Sequence, residues 1–479
     1  MKKLITNSIL FSLLFIFLAL TGCKKLTEHP ISVVTPDDFY NTPEQVESAF
    51  AACMNELYNE WEGYNGAGEA VFINDDQFYG GDLNITSSHA DDLWKMHFGS
   101  LLNINAALKA IKKGSLAATD QEVIDQLVGQ AKFLRAYNYF MLVRMFGGVP
   151  LLTEDSPDPV MEDIGRSTVA EVYALIESDF LEAVTKLPDS WSGQPGKPTK
   201  GAAKSLLAKA YLTMATAPLN ETDNYAKAAA MAWEVIQSGT YHLEEDVSNV
   251  FQDSHKYGPE MIWSLNANDV DRATDPHGYA PDFLGGWSGG KVEPDFEVNF
   301  PDQPRKKAYL FYEYNGIPYT DASWSPDNFP FIQKYLNVTF DDFETGRSVL
   351  NMPIIRYADV LLIYAEAKNM ANGSPTQDAV DAINEVRERA NGYVANAGYP
   401  NLTVGLSKEA FDEIVIQDRS LELCFEMDRW FDLVRKRIVK EKNPTYQQNF
   451  TDDDYLFPIP ELDLRLNSKL VQNPGYPTP

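Results

Sequence analysis

The chain has 479 residues, 44% hydrophobic and 23% charged, which is the composition of a globular protein able to bury a sizeable core. Its formal charge of −29 excludes nucleic-acid binding, which needs a clustered basic stripe facing phosphates. Three cysteines are too few for a disulfide framework, and Cys53 and Cys424, in apolar surroundings, read as buried free thiols.

Lys2 and Lys3 open the chain, followed by an apolar run from Ile9 to Leu20 broken only by Ser12. That run is short for a membrane-spanning helix and ends in small residues, so it reads as a secretory leader. Thr35-Pro36-Asp37-Asp38 and Thr42-Pro43-Glu44 each look like a helix start, with proline at the first helical position. The second of these helices carries Val46, Phe50, Cys53, Leu57 and Trp61. From residue 62 to 90 the helical period stops, and Gly, Asn and Asp alternate with aromatics, as in a structured functional loop.

Helical patterns then recur at residues 101–111, 121–145, 168–187, 201–215 and 224–238. Helix pairs with apolar stripes cannot bury their faces alone, and they predict a stacked tetratricopeptide-type array. Residues 240–352 lose the period again but are crowded with aromatics, among them Trp263, Tyr279, Trp287, Tyr309 and Trp324. Aromatic content of that kind is wrong for a disordered linker, and predicts a functional surface laid on a rigid scaffold.

Arg356 to Ala367 reads R-Y-A-D-V-L-L-I-Y-A-E-A, apolar except at Arg356, Asp359 and Glu366. The spacing predicts one buried helix with a single polar stripe, each charge paired to a neighbouring helix. A helix at 376–390 follows, then one or two helices over 407–437. In the latter, Arg419, Glu422, Glu426 and Arg429 fall at three- and four-residue steps, predicting neighbours on one helix surface.

Several stretches carry a resemblance. Leu20-Thr21-Gly22-Cys23 is similar to a bacterial lipobox. The 356–367 stretch, Arg135-Ala136-Tyr137, Gly147-Gly148-Val149-Pro150, Arg429-Trp430 with Asp432-Leu433, Phe457-Pro458-Ile459-Pro460-Glu461 and Gln472-Asn473-Pro474-Gly475-Tyr476 together resemble the SusD/RagB family of lipid-anchored, outer-membrane nutrient-binding proteins. The resemblance implies a mainly α fold: a tetratricopeptide-type helical-repeat scaffold with a long irregular, aromatic-rich loop region. It implies a signal peptide over residues 1–22 and one SusD-like domain over 23–479. Within that domain the repeats would span 36–240 and 353–437, the irregular insertion 241–352, and a closing segment 438–479. It also implies lipidation of Cys23, attachment to the cell outer membrane, and a SusC-like TonB-dependent transporter as partner. Members often carry acidic residues just after the lipidated cysteine, whereas Lys24-Lys25 follow it here.

No enzyme motif stands out. The six histidines lack metal-site spacing, and there is no phosphate loop and no G-x-S-x-G elbow. No cofactor is implied, and Asp452-Asp453-Asp454 lacks the spaced ligands of a calcium loop. The aromatics suit a different chemistry. A sugar ring offers C–H faces that stack on Trp or Tyr, while its hydroxyls bond nearby amides and carboxylates. Trp287, between Gly285-Gly286 and Gly289-Gly290, and Trp324, among polar turn residues, are the expected stacking platform, with Tyr64 and Tyr279 beside them. Asn74, Asp75 and Asp76 are the expected hydroxyl partners. The expected function is capture of oligo- or polysaccharide for delivery to the transporter. A peptide ligand, a glycoside hydrolase and a repeat scaffold remain as alternatives.

Overall fold

The computed structural model describes residues 39–62, 86, 88–157, 164–268, 273–274, 276–292, 294–314, 316–321, 330–338, 345–443 and 450–479. The amino-terminal unit, residues 1–40, is described only at Phe39 and Tyr40, whose rings meet edge to face at 5.1 Å. Everything below concerns the second unit, residues 41–479.

Six helices run in sequence: α1 (Pro43–Glu62), α2 (Ser88–Lys112), α3 (Gln121–Phe146), α4 (Val169–Lys186), α5 (Lys200–Met214) and α6 (Asn224–Gln237). Each packs on the next, as a tetratricopeptide-type array requires. Local chemistry sets their ends. Thr42 and Gln45 exchange bonds at the start of α1, and Thr168 and Glu171 form a reciprocal capping box on α4. Asp120, Thr199 and Ser407 each accept a backbone N–H as helix caps.

The irregular segment begins with β1 (Met261–Leu265). Within it lie two short helices, α7 (Pro294–Asn299) and α8 (Pro304–Tyr309), and the small strands β2 (Leu310–Phe311), β3 (Glu313–Tyr314), β4 (Ile317–Pro318) and β5 (Phe331–Ile332). It closes with β6 (Met352–Arg356), which pairs antiparallel with β1. Trp263 of β1 lies edge-on to Phe133 and Tyr137 of α3, at 4.7 and 5.2 Å. Tyr58 of α1 donates to Thr274 at 2.9 Å. So the segment leaves the array and returns to it through one two-stranded ribbon seated on α3.

The array then resumes with α9 (Tyr357–Asn372), which packs on α6 as well as on its own successors α10 (Gln377–Ala390) and α11 (Lys408–Glu422). Two more helices, α12 (Asp428–Lys436) and α13 (Val439–Lys442), follow, with α14 (Glu461–Leu466) near the end. α9 is buried nearly all round, as its apolar composition predicts.

The single polar stripe expected on α9 is corrected. Arg356 is the last residue of β6 and stands in the N-cap position, so only Asp359 and Glu366 lie on the helix. The three charges join two separate buried groups. Asp359 pairs with Lys209 at 2.6 Å and Arg419 at 2.7 Å. Arg419 continues to Asp432, Asp432 to Arg435, and Arg435 to Glu366 at 2.6 Å. Burial alone would push the Asp359 and Glu366 carboxyls up, but the adjoining lysine and arginine charges overcome it and hold both below their usual range.

The second group centres on Glu422. Its carboxylate accepts from Arg305, Arg356, Arg389 and the Tyr309 hydroxyl at 2.6–2.8 Å. Arg356 and Arg389 also reach Glu260, and Arg356 and Lys334 reach Glu426.

The expected continuous face Arg419–Glu422–Glu426–Arg429 is corrected too. α11 ends at Glu422, and Phe425 and Met427 take left-handed backbone, φ 63° and 66°. A helix end leaves carbonyls without intrahelical partners. Here Glu422 and Cys424 carbonyls accept from Lys334 at 3.1 and 2.8 Å, and the Phe425 carbonyl accepts from Tyr335 at 2.7 Å. Donors from the irregular segment thus terminate the helix. Cys53 and Cys424 are buried free thiols, as expected.

Candidate functional site

Trp287 is held in place by its backbone, and more than half of the residue is exposed. A short 3-10 turn at Asp282–Leu284 ends on Gly285 in left-handed conformation, and the chain doubles back on residues 277–281. Gly286, Trp287, Ser288 and Gly289 N–H groups donate to the carbonyls of Pro281, His277, Ala280 and Gly278 at 2.7–3.2 Å. Two of the flanking glycines are needed for this close approach. A Cβ on Gly286 would lie 2.2 Å from the Ala280 carbonyl oxygen, and one on Gly290 would lie 2.6 Å from that of Tyr279. Ser288 and Asp282 lock the turn through their side chains at 2.6 Å. On this fixed base the Trp287 side chain stays 60% exposed, with the His277 ring tilted beside it at 6.2 Å.

More aromatics lie in the neighbouring chain. Phe283 meets Tyr314 of β3 at 6.1 Å, and Tyr312 meets Tyr319 across the β3–β4 hairpin at 5.7 Å. Tyr312 donates to Glu297, which also pairs with Lys306. Burial and then the Glu297 carboxylate push the Tyr312 phenol up, so it stays a hydrogen-bond donor. The Trp287 turn meets this hairpin through Phe283 and Tyr314, and the hairpin carries partly exposed rings with carboxylate, hydroxyl and ammonium groups beside Tyr312. Such a surface can stack on the C–H face of a ligand and bond its rim.

The structure sorts the expected site residues. Trp287 presents its ring as its glycine-rich surroundings suggest. Tyr279 does not, which corrects its place in the platform. It is 1% exposed and packs on Tyr335 at 4.9 Å, because the Trp287 turn closes over it. Trp324, Tyr64, Asn74, Asp75, Asp76 and the lipidation candidate Cys23 lie outside the described residues. His277 was not foreseen: a lone histidine in Pro276-His277-Gly278 carries no motif. Among the described residues no group of three His, Cys, Asp or Glu side chains is placed to hold a metal.

A stacked helical array carrying an irregular, aromatic-bearing segment defines a repeat-scaffold binding protein. Residues 286–476 match the SusD family model, and residues 37–212 match the model described as "Starch-binding associating with outer membrane". The chain belongs to the SusD/RagB family, a non-catalytic family of glycan-binding proteins associated with the outer membrane. A SusD-like protein of Formosa agariphila is 28% identical over 97% of this chain and 99% of its own length. The crystal structure of a SusD superfamily protein from Parabacteroides distasonis is 26% identical, with a TM-score of 0.73, covering 90% of this chain and 99% of that one. A laminarin-binding SusD-like protein has the same fold at 24% identity, with a TM-score of 0.71 and coverage of 90% and 99%.

Proposed function

We propose that the protein captures oligo- or polysaccharide at the cell surface and delivers it to a SusC-like TonB-dependent transporter. In this reading residues 1–22 are removed, Cys23 carries the lipid anchor in the outer membrane, and residues 23–479 work as one SusD-like unit. The observation that carries the reading is Trp287: a large ring 60% exposed on a backbone fixed by four hydrogen bonds. A largely exposed aromatic on a fixed backbone is a pre-set platform, which reduces the ordering cost of binding. The laminarin-binding relative supports a saccharide over a peptide. Trp324, Tyr64, Asn74, Asp75 and Asp76 would complete the site around Trp287.

A glycan array on the full chain identifies the best ligand, and titration calorimetry of Trp287→Ala then tests the site. On the stacking scale measured for nucleobases, losing the ring costs about 1–3 kcal/mol, or roughly 5- to 150-fold in affinity. Unchanged affinity with an intact fold would remove Trp287 from the site. For the anchor, Cys23→Ala should release the protein from membranes. An unacylated wild-type Cys23 on mass spectrometry would refute that part.

A further inference from the structure

A second exposed aromatic stands elsewhere on the molecule, where α10 ends. Tyr393 is 58% exposed and its neighbour Val394 is 70% exposed. Its backbone is left-handed, φ 60°, directly after Gly392 at φ 63°. That conformation suits glycine; a tyrosine there is uncommon, and such outliers concentrate at functional sites.

The loop is not loose. Tyr393 N–H donates to the Glu388 carbonyl at 2.8 Å, and Gly392 N–H to the Arg389 carbonyl at 2.9 Å. The buried Asn391 side chain donates to the Tyr399 carbonyl and accepts from Asn396, which also donates to the Asp302 carbonyl. A rigid mount therefore holds the ring out in a conformation that the backbone alone would avoid.

Tyr393 separates two surface hollows of about 740 and 750 Å³, within the roughly 300–1,000 Å³ typical of small-ligand sites. One is lined by Glu388, Asn396, Pro400 and Asn401, the other by Glu245, Asp246, Pro304 and Arg389. No residue of the Trp287 turn lines either. Asn401 donates its amide to Glu388, which fixes that carboxylate at the rim. Arg389 lends no free positive charge, since it is fully buried and paired with Glu260 and Glu422. The rims thus offer carboxylate and amide oxygens around an aromatic face. Carboxylates accept hydrogen bonds from sugar hydroxyls and repel anionic groups.

We propose that Tyr393 is the platform of a second saccharide site, separate from Trp287 and selective for uncharged pyranose units. The proposal rests on the glycan-capture reading and extends it to two contacts per protein. Two separated contacts would let one polymer be held at both, raising affinity for long chains over short ones.

The test is titration calorimetry of the full chain with neutral hexasaccharides of the laminari, malto, cello, xylo and manno series. For a hexasaccharide that binds, the expected stoichiometry is two per chain. Tyr393→Gly should remove one site, weakening it at least 10-fold, with a melting temperature equal to or above wild type because glycine fits the backbone. Trp287→Ala should remove the other. A hexagalacturonate should not occupy the Tyr393 site.

One site in the wild type, two sites persisting in Tyr393→Gly, or hexagalacturonate bound at Tyr393 would each overturn the proposal while leaving capture at Trp287 standing. If no hexasaccharide binds the wild type, the capture reading falls and this proposal with it. If Tyr393→Gly keeps full saccharide binding but loses co-purification with the transporter, the loop is a protein-docking surface and the proposal is wrong.

Discussion

Glu422→Gln isolates the electrostatics of the buried core. The amide keeps the shape of the side chain, so no cavity opens. The carboxylate it replaces is fully buried and accepts from three guanidinium groups and one phenol at 2.6–2.8 Å. Burial would push this carboxyl up, yet the three arginines hold it well below its usual range. Arg356 and Arg389 keep Glu260 in the variant, but Arg305 has no other carboxylate among the described residues. The new amide N–H₂ would also face guanidinium N–H groups, donor against donor. Breaking a buried pair costs about 3–5 kcal/mol, and the retained Glu260 contacts keep the loss from multiplying, so about 5 kcal/mol is expected. Against a total stability of roughly 5–15 kcal/mol, that brings the protein close to unfolding. Urea titration followed by far-UV circular dichroism measures it, comparing midpoints at equal slope. Arg305→Met, which leaves Glu422 two arginines, should cost less. A folded Glu422→Gln protein within about 1 kcal/mol of wild type would refute the view that this network is a mutually dependent set of charges.

Acid should unfold the protein steeply. Burial would raise the Asp359 carboxyl, but Lys209 and Arg419 hold it below its ordinary 3.8, so its stabilising effect is complete above the unfolded value and is lost as pH falls through the lowered one. Glu154 behaves likewise: burial would raise it, but Arg135 holds it near about 2. Urea midpoints should therefore fall from pH 4 towards pH 2, and a flat profile would contradict the assigned pairings. Burial pushes the Cys53 thiol up to about 12, so iodoacetamide should modify Cys53 only after denaturation, and rapid native labelling by mass spectrometry would show the helix α1 packing to be wrong. Tyr279→Ala should lower stability by about 3 kcal/mol, whereas the exposed Trp287→Ala should change it by under about 0.5 kcal/mol. Thermal melts of the two variants check the contrast, and equal melting temperatures would undo it.

Much of the scaffold was legible because helix period and caps are local signals. Thr168 and Glu171, three apart, announce the start of α4 without reference to anything distant. Where local pattern and structure differ, the cause is a partner remote in sequence. The run Y-A-D-V-L-L-I-Y that follows Arg356 gives it a helical context, but Met352–Arg356 is a strand whose partner, Met261–Leu265, lies far back in the chain. The break after Glu422 has no Gly or Pro to mark it; Lys334 and Tyr335 make it, and both are remote in sequence. The exposure of Trp287 is legible because the glycines on both sides of it bring no side chains of their own to cover the ring. Tyr279, in similar company, is buried by that same turn and by Tyr335, which no local pattern reveals.

The Glu422 cluster also constrains how the chain comes together. Its members are Glu260, Arg305, Lys334, Arg356, Arg389, Glu422 and Glu426, drawn from the turn before β1 through to the loop after α11. A chain emerging from its amino end presents four of its cations before the hub carboxylate at position 422 exists. Until then Glu260 alone among the cluster's carboxylates is present, and it reaches only Arg356 and Arg389, so Arg305 and Lys334 stay in water and the irregular segment cannot collapse onto its final seat early. Loop closure over such separations is slow, and assembly of this half waits for the far end of the sequence. A nascent chain cut anywhere before Glu422 should thus hold its amino-terminal hairpins folded and its middle open, a late latch that ties completion of the fold to completion of the polypeptide.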